Sequence, residues 1–338
     1  VVIGGGTGTH TVLKGLKRYR KQLNLTAIVS MADSGGSTGR LRDEFGYLPV
    51  GDVRMALAAL AREADEHEEL VRQLFLHRFE KGEGLAGHNV GNLLLVALTD
   101  LLGSEEAAIR AAATVLRVEG EVVPVTTKSV DLVATYDDGR VVTGEHSIDE
   151  PAAATAAAKI TELSVTPAAE LNPRAEAAIL DADVVVLGPG DLYTSVLANC
   201  VVPGMKEVLR HTPAPIVYVS NLMTRRGQTT GMGVGEHVAE LVRHIDVAPT
   251  AVLANTGIIP TELQERYAAE GEYPVALTDV AAPSVVHAHD FLASEVVVSS
   301  QGDVLRRSLV RHDPRKLAQA IVDVLRGTTP LLTASSSS

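Results

Sequence analysis

The stretch Val1-Val2-Ile3-Gly4-Gly5-Gly6-Thr7-Gly8-Thr9-His10-Thr11-Val12-Leu13-Lys14-Gly15-Leu16 decides how the rest of the chain is read. A short apolar run of the kind that fills a buried parallel strand enters a glycine-rich turn, and Val12, Leu13, Leu16 and Tyr19 then recur at helical spacing. The prediction is a strand, a turn and a helix start. Glycine lets a backbone approach a ligand closely, and the unpaired N–H groups of a first helical turn carry roughly half a positive charge, so Gly4, Gly5, Gly6, Thr7 and Gly8 suit a phosphate. The dinucleotide fingerprint wants a third glycine or alanine where Thr9 or Thr11 stands, and the phosphate-loop pattern wants a Gly-Lys-Ser/Thr ending that is missing. The turn is thus an anion site by its physics, or a tight strand-to-helix turn with no ligand.

Working outward, 338 residues with 46% hydrophobic and 21% charged side chains make a globular chain that can bury a large core. No apolar run reaches bilayer length, so no membrane insertion is expected. Cys200 has no cysteine to pair with and no signal segment precedes the first strand, which leads to an expectation of a cytoplasmic protein lacking a few leading residues. A net charge of −12 and an aromatic content of 3% disfavour nucleic acid, which needs basic surface and stacking platforms. A small phosphorylated ligand is not disfavoured, because local amides and a few arginines decide such a site.

A second buried strand, Leu25 to Ser30, delivers Asp33, Ser34, Gly35 and Gly36 at its C-terminal end, where open parallel sheets bind ligands. Asp33 stands where an acid meets ribose hydroxyls; it could equally ligate a metal or cap the loop. Pro49-Val50-Gly51-Asp52 reads as a turn closing on Asp52 as the cap of the next helix, with Arg54 in the first turn. A cation is poorly placed there, so Arg54 calls for a ligand phosphate or a carboxylate partner. His88, Asn89 and Asn92 open a strongly apolar helix; together they could read a sugar, a base edge or a phosphate, or act as ordinary capping plus a core histidine.

The periodicity becomes two around Asp131 to Tyr136, and Asp137-Asp138-Gly139-Arg140 turns into Val141 to Thr143, a β-hairpin excursion placed at about 121–147. The stretch from Pro151 to Lys159 reads as a helix or a linker. The strand-and-turn pattern returns at Asp183 to Leu187 followed by Gly188, Pro189, Gly190 and Asp191, with Tyr193, Thr194 and Ser195 at the next helix start. This is a second anion candidate. Ile216 to Ser220 delivers Asn221 and Thr224, with Arg225 and Arg226 behind them, and Ala251 to Gly257 repeats the pattern. Short strands are expected at Val296–Val298 and Val304–Leu305. Asp313 and Pro314 then cap a closing helix, leaving Arg311 to reach a ligand. The expected class is α/β, Rossmann-like, with a mostly parallel sheet, helices on both faces and the hairpin excursion, as one domain over 1–330 with a flexible tail at 331–338.

These pieces, in this order, resemble the CofD-like superfamily, and its YvcK-type gluconeogenesis factors most closely. The segments that carry the resemblance are Gly4 to Gly8, Ala32 to Arg42, Pro49 to Arg54, Ala86 to Asn92, Leu187 to Val196 and Arg311 to Pro314. The resemblance implies a Rossmann-like, often dimeric protein that binds UDP-sugars such as UDP-N-acetylglucosamine, needs no cofactor, and acts with an unidentified protein partner in carbon metabolism and cell shape. The related 2-phospho-L-lactate transferases move a phospholactyl group from a guanosine diphosphate carrier to a deazaflavin with magnesium. Here the second acid usual in the family's second motif is Ser34, which weakens a magnesium site built on Asp33. The strand-turn-helix opening also suggests a nicotinamide oxidoreductase, but no proton donor is evident.

Overall fold

Short β-branched runs with glycine at their ends become strands in a computed structural model, which describes residues 1–151, 157–294 and 309–327. The strands are β1 (Val2–Gly4), β2 (Thr26–Val29), β3 (Glu121–Pro124), β4 (Asp131–Tyr136), β5 (Val141–Thr143), β6 (Ile160–Thr166), β7 (Val185–Leu187), β8 (Ile216–Val219), β9 (Ala251–Asn255) and β10 (Val285–His289). Seven of them form one sheet in the order β10-β9-β8-β7-β1-β2-β3, with every pairing parallel. Ile3, Ile28, Leu187, Val217 and Leu253 are fully buried, as strands covered on both faces require.

The first helices are α1 (Gly6–Leu16), α2 (Gly36–Phe45), α3 (Gly51–Leu60), α4 (Glu66–Leu76) and α5 (Val90–Leu102). α1 packs between α3 and the closing helix Pro314–Leu325, and buries Val12, Leu13 and Leu16. On the other side of the sheet the Met205–His211 helix packs against the Pro173–Leu180 and Val234–Ile245 helices. The strand order reverses at β1: the chain runs from β1 to β2 and β3 on one side, then returns to β7 on the other and continues to β10. A crevice opens at such a reversal, beyond the C-terminal ends of the two central strands.

The excursion differs from the sequence reading. Glu121–Pro124 belongs to the parallel sheet, and the separate antiparallel sheet is β5-β4-β6. Its third strand, β6, has an irregular burial pattern, and its pairing to β4 shifts register between Thr135 and Tyr136. Leu132, Ala134 and Ile160 pack this small sheet into the core, and Arg42 donates to Asp131 at 2.6 Å and Arg243 to the Thr161 carbonyl at 2.8 Å. The strands expected at Val296–Val298 and Val304–Leu305, the tail at 331–338 and part of the Pro151–Lys159 stretch lie outside the described residues.

Candidate functional site

The two glycine bends meet at the strand-order reversal. The first runs from Gly4, at the end of β1, into α1; the second follows β7 as Gly188 to Asp191. A side chain at Gly8 would run into the Pro189 carbonyl, so the bends are in direct backbone contact and only glycine allows it. Gly6 has φ +59°, the left-handed region that glycine enters without strain, and nothing would crowd a side chain there: its Cα faces open space. α1 starts with no side-chain cap and no acid in its first turn, which leaves its amides to other acceptors.

One of those acceptors is Asp52, and this corrects its reading as a cap. Val50 takes the cap position of α3, and the Asp52 carboxylate turns across to accept the Gly6 N–H at 2.7 Å. Asp33, in the loop after β2, accepts the Gly35 N–H at 3.0 Å and lies so close to Gly51 that a Cβ there would strike its carboxylate. Burial pushes the Asp52 carboxyl up to about 7, with the Asp33 charge adding to it; the Gly6 N–H and Arg54 pull the other way. Burial raises Asp33 too, against the Gly35 N–H and the Thr38 hydroxyl.

Arg54 is buried behind these acids, and its Nε donates to Asn92 Oδ1 at 2.8 Å. Asn92 Nδ2 donates to Ser37 Oγ at 3.2 Å, and Ser37 Oγ lies 3.1 Å from His88 Nδ1. His88, Asn92 and Arg54 are thus joined into one buried network at the starts of α2 and α5. This network supplies a cation next to two carboxylates and fixes where it points. Asn89 has the structural role: it caps α5 by accepting the Gly91 N–H, and it donates to the Leu76 carbonyl at 2.7 Å.

On the β7 side the sequence-selected residues divide. Gly188, Pro189, Gly190 and Asp191 line the bend, and the following residues, Leu192–Leu197, form a stretch of π-helix, a rare form that is frequent at functional sites. Thr194 is buried in that stretch. Tyr193 is buried with its hydroxyl committed to Glu240, and its ring stands edge-on to His244. Asn221, after β8, has a buried Oδ1 with no partner among the described residues, as does Thr9 Oγ1, which rests against Gly4. The Thr224 hydroxyl accepts the Tyr273 N–H at 2.9 Å and so holds its own loop. Arg311 approaches from the closing segment: burial lowers the His10 ring in α1 to about 4, and the Arg311 charge contributes to that shift.

Sequence reasoning missed one cation of this region. Arg225, in the loop after β8, donates to Asp149 through Nη2 at 2.6 Å and Nε at 3.2 Å, and through Nη1 to Glu272 at 3.4 Å. Burial alone would lower its pKa, but the charges of Asp191, Asp149 and Glu272 outweigh burial and hold it up. The signal was present as two arginines directly beyond a buried strand. Its partner Asp149 ends a short helix, Glu145–Asp149, whose sequence carries no local sign of a role. Ser34 meets the same helix: its Oγ accepts the His146 N–H at 3.0 Å, and its N–H donates to Glu145 at 3.5 Å.

The sequence makes Asp33 a candidate magnesium ligand should the chain be an enzyme. Asp33 Oδ1, Asp52 Oδ1 and Ser34 Oγ each accept a backbone N–H, and among the described residues no three His, Cys, Asp or Glu side chains are grouped to hold a metal ion. Among the described residues no helix is long and apolar enough to cross a membrane.

Two glycine bends meeting where the order of a parallel sheet reverses mark the chain as a doubly wound α/β protein, and comparison with known proteins gives its relatives. Residues 1–291 match the family described as 2-phospho-L-lactate transferase CofD, and the chain belongs to that family. Similar proteins of nearly full coverage are named gluconeogenesis factor. That of Halalkalibacterium halodurans is 40% identical over 327 residues, spanning 96% of this chain and 95% of that protein. That of Bacillus subtilis strain 168 is 38% identical over 334 residues, spanning 96% and 97%. The crystal structure of a UPF0052 family member from Bacillus halodurans superposes with a TM-score of 0.83 at 36% identity, covering 95% of this chain and 97% of the other.

Proposed function

We propose that this protein is a cytoplasmic nucleotide-sugar sensor of the gluconeogenesis-factor type: it binds a UDP-sugar such as UDP-N-acetylglucosamine and passes its state to a protein partner that governs carbon use and cell shape. The observation that carries the reading is the contact of the two bends at Gly8 and Pro189, which gathers amides from two strand ends at one crevice. In this reading the Gly4–Gly8 amides and the Gly188–Asp191 bend receive the diphosphate, with Arg225 and Arg311 as its cations. Asn221 and Thr9 offer unsatisfied oxygens to sugar or base donors. The working unit is taken to be a homodimer. Calorimetric titration with UDP-N-acetylglucosamine, UDP-glucose, GDP and NAD tests the reading. Saturable binding of a UDP-sugar is expected, and no binding of either UDP-sugar would overturn it.

A second reading, transfer of a phospholactyl-type group from a nucleotide carrier, is favoured by the family description that matches residues 1–291. Ser34 in place of a second acid counts against it. Incubation with guanosine-diphosphate-linked phospholactate, deazaflavin and magnesium, read by mass spectrometry, decides the matter: unchanged substrates reject it.

A further inference from the structure

Two anion-binding groups of the crevice are already filled, and the acceptors are carboxylates of the chain itself. The Gly6 N–H gives its hydrogen bond to Asp52 at 2.7 Å. The Arg225 guanidinium gives two to Asp149, at 2.6 and 3.2 Å, and Gln228 Nε2 adds a third to the same carboxylate at 3.0 Å. Neither acid belongs to a bend: Asp52 comes from the start of α3, and Asp149 from the end of the Glu145–Asp149 helix.

That short helix lies across from one wall of the crevice to the other. Its first residues are tied to the loop after β2 through Ser34, and its last to the loop after β8 through Arg225 and Gln228. Ile148, fully buried, anchors it in the core. Across this arrangement the acids are crowded. Burial lifts the Glu145 carboxyl well above the ordinary range, and the charges of Asp33, Asp149 and Asp52 lift it further. A state that holds like charges together at close range loses little when one of them leaves.

We propose that Asp52 and Asp149 are internal competitors for the diphosphate, filling the Gly6 amide and the Arg225 guanidinium, so that the nucleotide binds by displacing both and loosens the Glu145–Asp149 helix as it does so. The proposal rests on the nucleotide-sugar reading of the crevice. A diphosphate offers more acceptor oxygens than a carboxylate and can satisfy both groups at once, while the freed acids turn toward solvent. Because only the fraction of molecules with the competitors withdrawn can bind, apparent affinity is the intrinsic affinity reduced by that fraction. Removing a competitor's charge therefore strengthens binding, the reverse of what replacing a ligand-contacting residue does.

The test is calorimetric titration of the full chain and of Asp149→Asn and Asp52→Asn with UDP-N-acetylglucosamine, together with hydrogen exchange of the segment 144–149 with and without that ligand. Each variant is expected to bind about tenfold more tightly than the parent chain, and ligand is expected to raise exchange in 144–149. Thermal melting checks that the variants fold; should Asp149→Asn fail, Asp52→Asn and the exchange measurement carry the same expectation. Variants that bind equally or more weakly, or exchange in 144–149 that falls on binding, overturn the proposal and leave the nucleotide-sugar reading standing. No UDP-sugar binding by any of the three proteins overturns both.

Discussion

The bends after β1 and β7 share one local pattern, a buried strand entering glycines and then a helix, yet they differ in the charge they carry. The β1 bend presents donors: α1 has no acid in its first turn, and Gly6 gives its amide to a carboxylate from elsewhere. The β7 bend has glycines of the same kind but carries an acid of its own, since Asp191 precedes the π-helical stretch and its charge bears on Arg225. The lesson is that a glycine-rich turn specifies close backbone approach, while the partners supplied by other loops decide which charge the site takes.

The contact between the bends is the first thing to break. Gly8→Val drives a side chain into the Pro189 carbonyl, and urea unfolding is expected to show a loss of about 4 kcal/mol; a loss under 1 kcal/mol would mean the bends do not touch. Next is the cation on the donor side. Arg54→Ala strips the guanidinium beside Asp33 and Asp52 and orphans Asn92, at a cost of about 3 kcal/mol by the same measurement.

The pH dependence sharpens the comparison further. Asp52 has an ordinary value of 3.8 and a folded value of about 7, so the folded chain keeps a proton that the unfolded chain has released. Stability is therefore present below about pH 4 and lost as pH rises toward 7. Asp52→Asn should flatten that decline and gain on the order of 2 kcal/mol at pH 8, read from unfolding curves at several pH values. A decline of unchanged slope in the variant would assign the effect to other groups. The smallest expected effect is at the loop after β2. Ser34→Asp places a second acid next to Asp33 and against Glu145, and a loss of about 1 kcal/mol is expected near neutral pH.

Much of the fold was legible because its signals are local. The strand, glycine turn and helix start at both bends, the Asp313 cap, and the β4–β5 hairpin are each written in one short run of residues, and the structure has all of them. What escaped depends on distant partners. β3 is only four residues long and precedes the hairpin directly, so nothing local separates it from the excursion. β6 lacks clean alternation because its burial follows packing against the body. At the site, Asp52 reads as a cap until its acceptor role to an amide 46 residues earlier is seen, and Asp149 meets Arg225 across 76 residues. The partners of the Tyr193 and Thr224 hydroxyls, Glu240 and Tyr273, lie too far along the chain to be read from the sequence around either residue.

The most direct measurement is a crystal structure of the chain with UDP-N-acetylglucosamine. The account places the diphosphate between Gly6 and Gly190, within hydrogen-bonding distance of the first-turn amides of α1. Clear density for the nucleotide at any other place on the molecule, with the Gly6 amide still bonded to Asp52, would contradict it.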